Sequence, residues 1–217
     1  MPLDSTRITL IVITDRQILA RGSNMPMSDA VRAAASGGAT MIQLREKAME
    51  GSALLRQADD LSAALEGSGC AFTVNDRLDI AMASGAEGVH LGQEDMPLSR
   101  AKRLAGERLA YGVTAGKIEW ARGAAADGAD YIGVGPIYPT GSKENARAPI
   151  GPDGMAEVLA HAGGLPAVAI GGVNAENLGP VIAAGAGGVA VIGAVMGAPD
   201  PETAAREIRR RIEEARG

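Results

Sequence analysis

Apolar runs of strand length alternate with alanine-rich segments along the chain. The runs at 8–13, 40–45, 71–74, 88–92, 109–113, 130–135, 167–170 and 188–192 are short and dominated by small and branched apolar side chains, and they predict eight buried strands. Between them, 27–37, 50–67, 97–105, 117–127, 154–162, 175–184 and 200–216 carry helix formers at helical spacing, and only 77–84 is short for a full helix. Strict alternation predicts parallel pairing through right-handed crossovers. Eight such units closed into a ring make an α/β fold of the (β/α)8 TIM-barrel type, with residues 1–217 as one catalytic domain. An open doubly wound sheet is the alternative.

A repeat favours closure. Gly38-Ala39-Thr40-Met41-Ile42, Gly85-Ala86-Glu87-Gly88-Val89, Gly128-Ala129-Asp130-Tyr131-Ile132 and Gly185-Ala186-Gly187-Gly188-Val189 share a helix-ending glycine, an alanine, two spacers and a strand start. They recur 47, 43 and 57 residues apart, so the pattern marks every second strand. Barrel interiors are filled in layers drawn from alternate strands, which suits a two-strand period.

Composition narrows the class. The chain has 217 residues, 46% of them apolar, which is enough for one substantial core. Aromatics make up only 2%, so that core is built from aliphatic residues, which argues against a β-sandwich. A net charge of −5 without a long basic run argues against nucleic-acid or anionic-membrane partners. Cys70 is the single cysteine, which leaves no intrachain disulfide and no cysteine-based zinc site. The apolar run Ile8–Ile13 is too short for a signal peptide, and nothing approaches the roughly 18 apolar residues of a membrane span. The expectation is a soluble, cytoplasmic protein with small-molecule partners, its state left open between monomer and homo-oligomer.

In a barrel of this type the site lies at the C-terminal ends of the strands. The residues there are Thr14 and Asp15; Gln43, Arg45 and Lys47; Asn75 and Asp76; Gln93, Glu94 and Asp95; Thr114; Thr140, Ser142 and Lys143; then Gly171-Gly172 and Gly193. Three cations, hard oxygen donors and paired glycines suit a magnesium-bound polyphosphate. Asp76 and Asp95 are the metal-ligand candidates, although each could instead cap the helix that follows, with Pro97 near the start of the helix after Asp95. Arg45 offers a planar fork to phosphate, while Lys47 and Lys143 act as point charges. The glycines open backbone amides toward an anion. His90 falls inside a strand run and reads as packed, and His161 as a helix-end residue. No serine or cysteine nucleophile stands at a suitable spacing from a base, which argues against an acyl-enzyme.

Taken in order, ITD at 13–15, QLREK at 43–47, VNDR at 74–77, GVHLGQED at 88–95, GVGPIYPTGSK at 133–143, AIGGV at 169–173 and GVAVIGAV at 188–195 resemble the thiamine-phosphate synthase family over almost the whole chain. The resemblance implies a (β/α)8 fold and a Mg2+-dependent condensation. A hydroxymethylpyrimidine diphosphate joins a thiazole phosphate to give thiamine monophosphate and pyrophosphate, by a dissociative route. It further implies that Gln43, Leu44, Arg45, Glu46, Lys47, Asn75, Thr114 and Lys143 bind the pyrimidine diphosphate. Arg45, Lys47, Thr114 and Lys143 would be the catalytic group and Asp76 and Asp95 the metal ligands. Thr140, Gly141, Ser142, Gly172, Ile192 and Gly193 would bind the thiazole phosphate. Thr114, Ser142 and Gly193 stand where the family commonly has serine, threonine and serine, and Ile11 stands near a position often held by tyrosine. The Gly193 departure bears on thiazole-phosphate affinity. Two rival readings are a thiazole tautomerase, which would not need Arg45, Lys47, Asp76, Asp95 and Lys143 together, and a non-catalytic precursor-binding relative. Magnesium-dependent pyrophosphate release separates them from the synthase.

Overall fold

The computed structural model describes residues 5–141 and 148–217. Strands β1 (Leu10–Ile13), β2 (Met41–Leu44), β3 (Ala71–Asn75), β4 (Gly88–Leu91), β5 (Ala110–Thr114), β6 (Tyr131–Val134), β7 (Ala167–Ile170) and β8 (Gly188–Val191) are all parallel and close in sequence order. β1 pairs β2 through Ile11↔Met41 and β8 through Ile11↔Ala190, so the sheet has no free edge and the open-sheet alternative falls. The first strand starts later than its apolar run because Ser5–Ile8 winds into a 3-10 turn.

Helices α1 (Arg16–Gly22), α2 (Met27–Ser36), α3 (Gly51–Leu65), α4 (Leu78–Ala83), α5 (Leu98–Ala105), α6 (Ile118–Ala126), α7 (Gly151–Leu159), α8 (Gly179–Ala183), α9 (Gly193–Met196) and α10 (Pro201–Arg216) surround the barrel. Two of them differ in extent from the sequence reading. α7 starts at Gly151 rather than 154, since Pro152 is at home in a first helical turn. α8 is cut to its second half because Asn174 and Asn177 fold the preceding residues into a side-chain turn. The Asn174 amide donates to Asn177 Oδ1 and the Glu176 amide to Asn174 Oδ1, both at 2.8 Å. α1 and α9 were not foreseen, being short and, for α9, merged into the apolar run of β8.

Strand alternation splits the core in two. Ile11, Ile13, Met41, Ala71, Tyr131, Val168, Ala190 and Ile192 pack inside the barrel. Leu10, Val12, Ile42, Leu44, Phe72 and Val74 pack outward beneath the helices.

The glycine-alanine repeat is one helix-ending device used four times. Gly38, Gly85, Gly128 and Gly185 all have positive φ, from 67° to 103°, and the following alanine amide returns to the helix: Ala39 to Ala34, Ala86 to Ala81, Ala129 to Ala124 and Ala186 to Val181, at 2.9–3.1 Å. The residue after the alanine enters the ladder, and in three repeats its side chain also accepts an amide hydrogen from the strand before. Leu10 N–H donates to Thr40 Oγ1 at 2.9 Å, Phe72 N–H to Glu87 Oε1 at 3.3 Å and Tyr111 N–H to Asp130 Oδ2 at 2.7 Å. This polar band lies at the N-terminal ends of the strands. It leaves the opposite face for chemistry.

Candidate active site

The ends of β2, β3 and β4 bring three of the expected residues together. Lys47 Nζ, just past β2, pairs with Asp76 Oδ2, just past β3. Asp76 is in turn hydrogen-bonded to Asp95 from the loop after β4. Asp76 has φ 66°, a left-handed conformation that Asp tolerates, and its amide donates to His90 O at 2.8 Å, which ties the β3 and β4 ends together. Neither carboxylate caps a helix. α4 is entered through Arg77 and α5 through Pro97, whereas Asp95 Oδ2 accepts the Gly92 amide at 2.6 Å.

The two carboxyls ionise unequally. Burial opposes ionisation of Asp76, but the hydrogen bonds with Asp95 and Lys47 and the Lys47 charge outweigh it, so its pKa falls below the usual carboxylate range. Asp95 is pushed above that range by burial and then by the ionised Asp76, with the Gly92 amide only partly opposing. Two carboxyls that share a hydrogen bond form a site a divalent cation can take from the proton. Among the described residues no cluster of three or more His, Cys, Asp or Glu could hold a metal. A pair of carboxylates, with water and phosphate completing the shell, is a donor set that Mg2+ accepts.

Arg45 is oriented from β1. Its amide hydrogen goes to Thr14 Oγ1 at 3.0 Å, and its Nη1 lies 3.5 Å from Asp15 Oδ2. Asp15 also caps α1, with Oδ1 accepting the Ile18 amide at 3.0 Å, so one carboxylate fixes both a helix start and a guanidinium. Leu44 is buried in the outer core, Glu46 meets Arg16 at 3.6 Å, and Asn75 ends β3 beside the carboxylates.

A polar chain runs below the mouth inside the barrel. Gln43 is hydrogen-bonded to the Tyr131 hydroxyl. That hydroxyl lies 3.1 Å from His90 Nδ1, and His90 Nε2 lies 3.0 Å from Thr114 Oγ1 at the end of β5. Gln93 Nε2 donates to Thr114 O at 2.6 Å. Glycines make room for the chain. A Cβ at Gly112 would sit 2.2 Å from Tyr131 Cζ, and one at Gly133 would sit 3.2 Å from His90 Cε1. Sequence reasoning placed His90 as packed and overlooked Tyr131. Both hold inward-facing positions of their strands, and a polar residue at such a position was the available signal.

The remaining candidates gather at the ends of β6, β7 and β8. The loop after β6 lies on the Gly171-Gly172 turn: Ile137 N–H donates to Ile170 O and Tyr138 N–H to Gly171 O, both at 2.9 Å. Gly172 has φ 69°, and a Cβ there would sit 2.6 Å from Pro139 O. Thr140 and Gly141 follow directly on this contact. Ser142 and Lys143 lie outside the described residues. Asn177 Nδ2 holds Gly172 O at 2.9 Å. Ile192 closes the interior core, and Gly193 opens α9 at an exposed position with nothing within 4 Å of a Cβ. Grooves of about 420 and 610 Å3, lined by Arg32, Gln57 and Asp60 in one and by Arg7, Glu66 and Glu87 in the other, contain none of these residues.

Comparison with known proteins identifies the family. A family model described as thiamine monophosphate synthase matches residues 10–195. The chain is 48% identical to a thiamine-phosphate synthase of Moorella thermoacetica over 90% of its own length and 93% of the relative's. It is 45% identical to one of Methanoculleus marisnigri, covering 95% and 96%. A solved thiamine phosphate pyrophosphorylase from Pyrococcus furiosus superposes with a TM-score of 0.88 at 38% identity, covering 98% of this chain and 99% of that one. With the family pattern spanning residues 10–195, and so every strand of the barrel, the chain belongs to the thiamine monophosphate synthase family.

Proposed function

We propose that this chain, as one catalytic domain, joins a hydroxymethylpyrimidine diphosphate to a thiazole phosphate, giving thiamine monophosphate and pyrophosphate. The observation that carries this reading is the convergence of Lys47, Asp76 and Asp95 at the mouth of a barrel of this family. Asp76 and Asp95 would hold Mg2+, which when bound neutralises diphosphate charge and so favours its departure.

The reaction breaks the bond between the pyrimidine methylene and the diphosphate oxygen, and the electron pair leaves with pyrophosphate. The thiazole nitrogen lone pair then forms the new C–N bond, and no proton needs to move. A protein nucleophile or general base is therefore unnecessary, and the side chains act by position and charge. Arg45, oriented by Asp15 and Thr14, presents its fork to phosphate oxygens. Lys47 and Lys143 meet charge that accumulates on the leaving group, and Thr114 and Asn75 supply neutral donors. Thr140, Gly141, Ser142, Gly172 and Gly193 form the second phosphate site, with Ile192 beneath it. The setting we infer is the cytoplasm, in keeping with a lone buried thiol, and among the described residues no helix is long and apolar enough to cross a membrane.

The test is pyrophosphate release from the two substrates with and without Mg2+. Release that needs both substrates and the ion supports the synthase. Isomerisation of a thiazole phosphate without pyrophosphate identifies a tautomerase, and binding without turnover identifies a precursor-binding protein.

A further inference from the structure

The chain Gln43–Tyr131–His90–Thr114 crosses from β2 to β6, β4 and β5 and joins the closed interior to the mouth. Tyr131, Gln43 and His90 are 2%, 3% and 8% exposed, so each polar atom along it must be satisfied by its neighbours. That requirement fixes where the hydrogens lie.

The Tyr131 oxygen carries one hydrogen. Burial raises its pKa, so it stays a phenol and keeps that hydrogen to donate. The Gln43 amide can turn its NH2 to the phenol oxygen, which leaves the Tyr131 hydrogen two acceptors in reach: His90 Nδ1 at 3.1 Å and Met41 Sδ at 3.9 Å. An unprotonated imidazole nitrogen is a far better acceptor than a thioether. With Nδ1 accepting, the ring hydrogen lies on Nε2 and points at Thr114 Oγ1, 3.0 Å away. The Thr114 oxygen then receives a hydrogen from below, and its own hydrogen is free to turn to the mouth. In the opposite tautomer Nε2 would accept from Thr114, and the hydroxyl would turn its lone pairs toward an approaching anion.

We propose that His90 is a positioning residue, held as the Nε2–H tautomer by Tyr131, that directs the Thr114 hydroxyl hydrogen toward a phosphate oxygen of the diphosphate substrate. The inference rests on the reading of Thr114 as a substrate contact given above. It also accounts for Gly112 and Gly133, whose missing side chains leave the space that the two rings occupy.

The first measurement is the 15N shift pattern of the His90 ring in the intact protein. His161 is the only other histidine, so a His161→Gln variant completes the assignment. A pyrrole-type Nε2 with a pyridine-type Nδ1 is expected. The reverse pattern, or a doubly protonated ring, overturns the proposal whether or not any variant folds. The second measurement is a double-mutant cycle on turnover. His90→Leu should lower kcat/KM for the pyrimidine diphosphate roughly ten- to hundredfold, the size of a lost bond to a charged acceptor, and much less in a Thr114→Ala background. His90→Gln, which keeps a donor near the Nε2 position, should recover most of the loss. Equal losses from His90→Leu with and without the Thr114 hydroxyl would defeat the positioning role while leaving the site reading intact. A Thr114→Ala enzyme with wild-type kinetics would instead defeat the site reading, and this inference with it.

Discussion

At the scale of single residues, the unequal ionisation of Asp76 and Asp95 has consequences for metal and for stability. Asp95 has a raised pKa, so protons compete for it at higher pH than for an ordinary carboxyl. The Mg2+ concentration for half-maximal turnover should therefore climb as pH falls toward and through the raised pKa of Asp95, at higher pH than an ordinary aspartate would require. A requirement that stays flat as the carboxyls protonate would remove Asp95 from the metal site. The sign for folding is opposite to that of a salt-bridged carboxylate. A group whose folded pKa is raised contributes stability below its unfolded pKa and loses it as pH rises through the folded one. Metal-free Asp95→Asn should thus melt above the wild type at neutral pH and lose that advantage in acid. With substrates present, Asp76→Asn and Asp95→Asn should each raise the Mg2+ requirement by about tenfold or more, since changes even to outer-shell partners cost that much. Unchanged magnesium titrations in both variants would refute the assignment. Gly193 allows a separate test of the second phosphate site. Its Cβ direction is open and its φ lies outside the left-handed region, so Gly193→Ser should fold and lower thiazole-phosphate KM by about two- to tenfold through one added hydrogen bond. A KM within error of wild type would detach position 193 from that substrate.

At the scale of the elements, the four glycine-alanine turns do different work from the mouth, and mutation should separate the two. Asp130→Ala removes the acceptor of the Tyr111 amide at the start of β5 and should cost about 1–3 kcal/mol in urea denaturation. Gly128→Ala places a Cβ at φ 74° and should cost roughly 1–2 kcal/mol. Both changes lie at the N-terminal ends of the strands, so substrate KM values should stay at wild type. A stability loss accompanied by an altered KM would show that the two faces are coupled. The exposed Arg and Glu pairs along α10, such as Arg209–Glu213 at 2.8 Å, belong in a different class, because ion pairs in full solvent contribute little.

For the molecule as a whole, the decisive feature is the seam where β8 returns to β1. A Cβ at Gly188 would sit 2.1 Å from Ile8 O and 2.5 Å from Thr9 O, backbone atoms that cannot yield without opening the seam. α10 lies across it: Arg216 Nη2 donates to Gly187 O at 2.6 Å and to Thr9 Oγ1 at 3.3 Å, joining the starts of the two strands. Gly188→Val should lower stability by about 1–3 kcal/mol or more and speed amide exchange in β1 and β8 ahead of β4 and β5. Uniform exchange around the ring would mean that the seam is no weaker than the rest.

The sequence by itself determined the kind and order of the elements, the parallel barrel, the two-strand repeat and the set of polar residues at the strand ends, because each is written in local periodicity or in a motif a few residues long. Lys47, Asp76 and Asp95 were all legible in that way, although their mutual pairing was not. Tertiary structure alone decided that Asp76 is the stronger acid, that Asp15 both caps α1 and orients Arg45, and that Gln43, Tyr131, His90 and Thr114 form one chain. These depend on which residues of different strands come level. Asn75↔His90, His90↔Gly112 and Gly112↔Tyr131 are register partners far apart in sequence. That register is set by strand tilt and ring closure, which no single segment encodes.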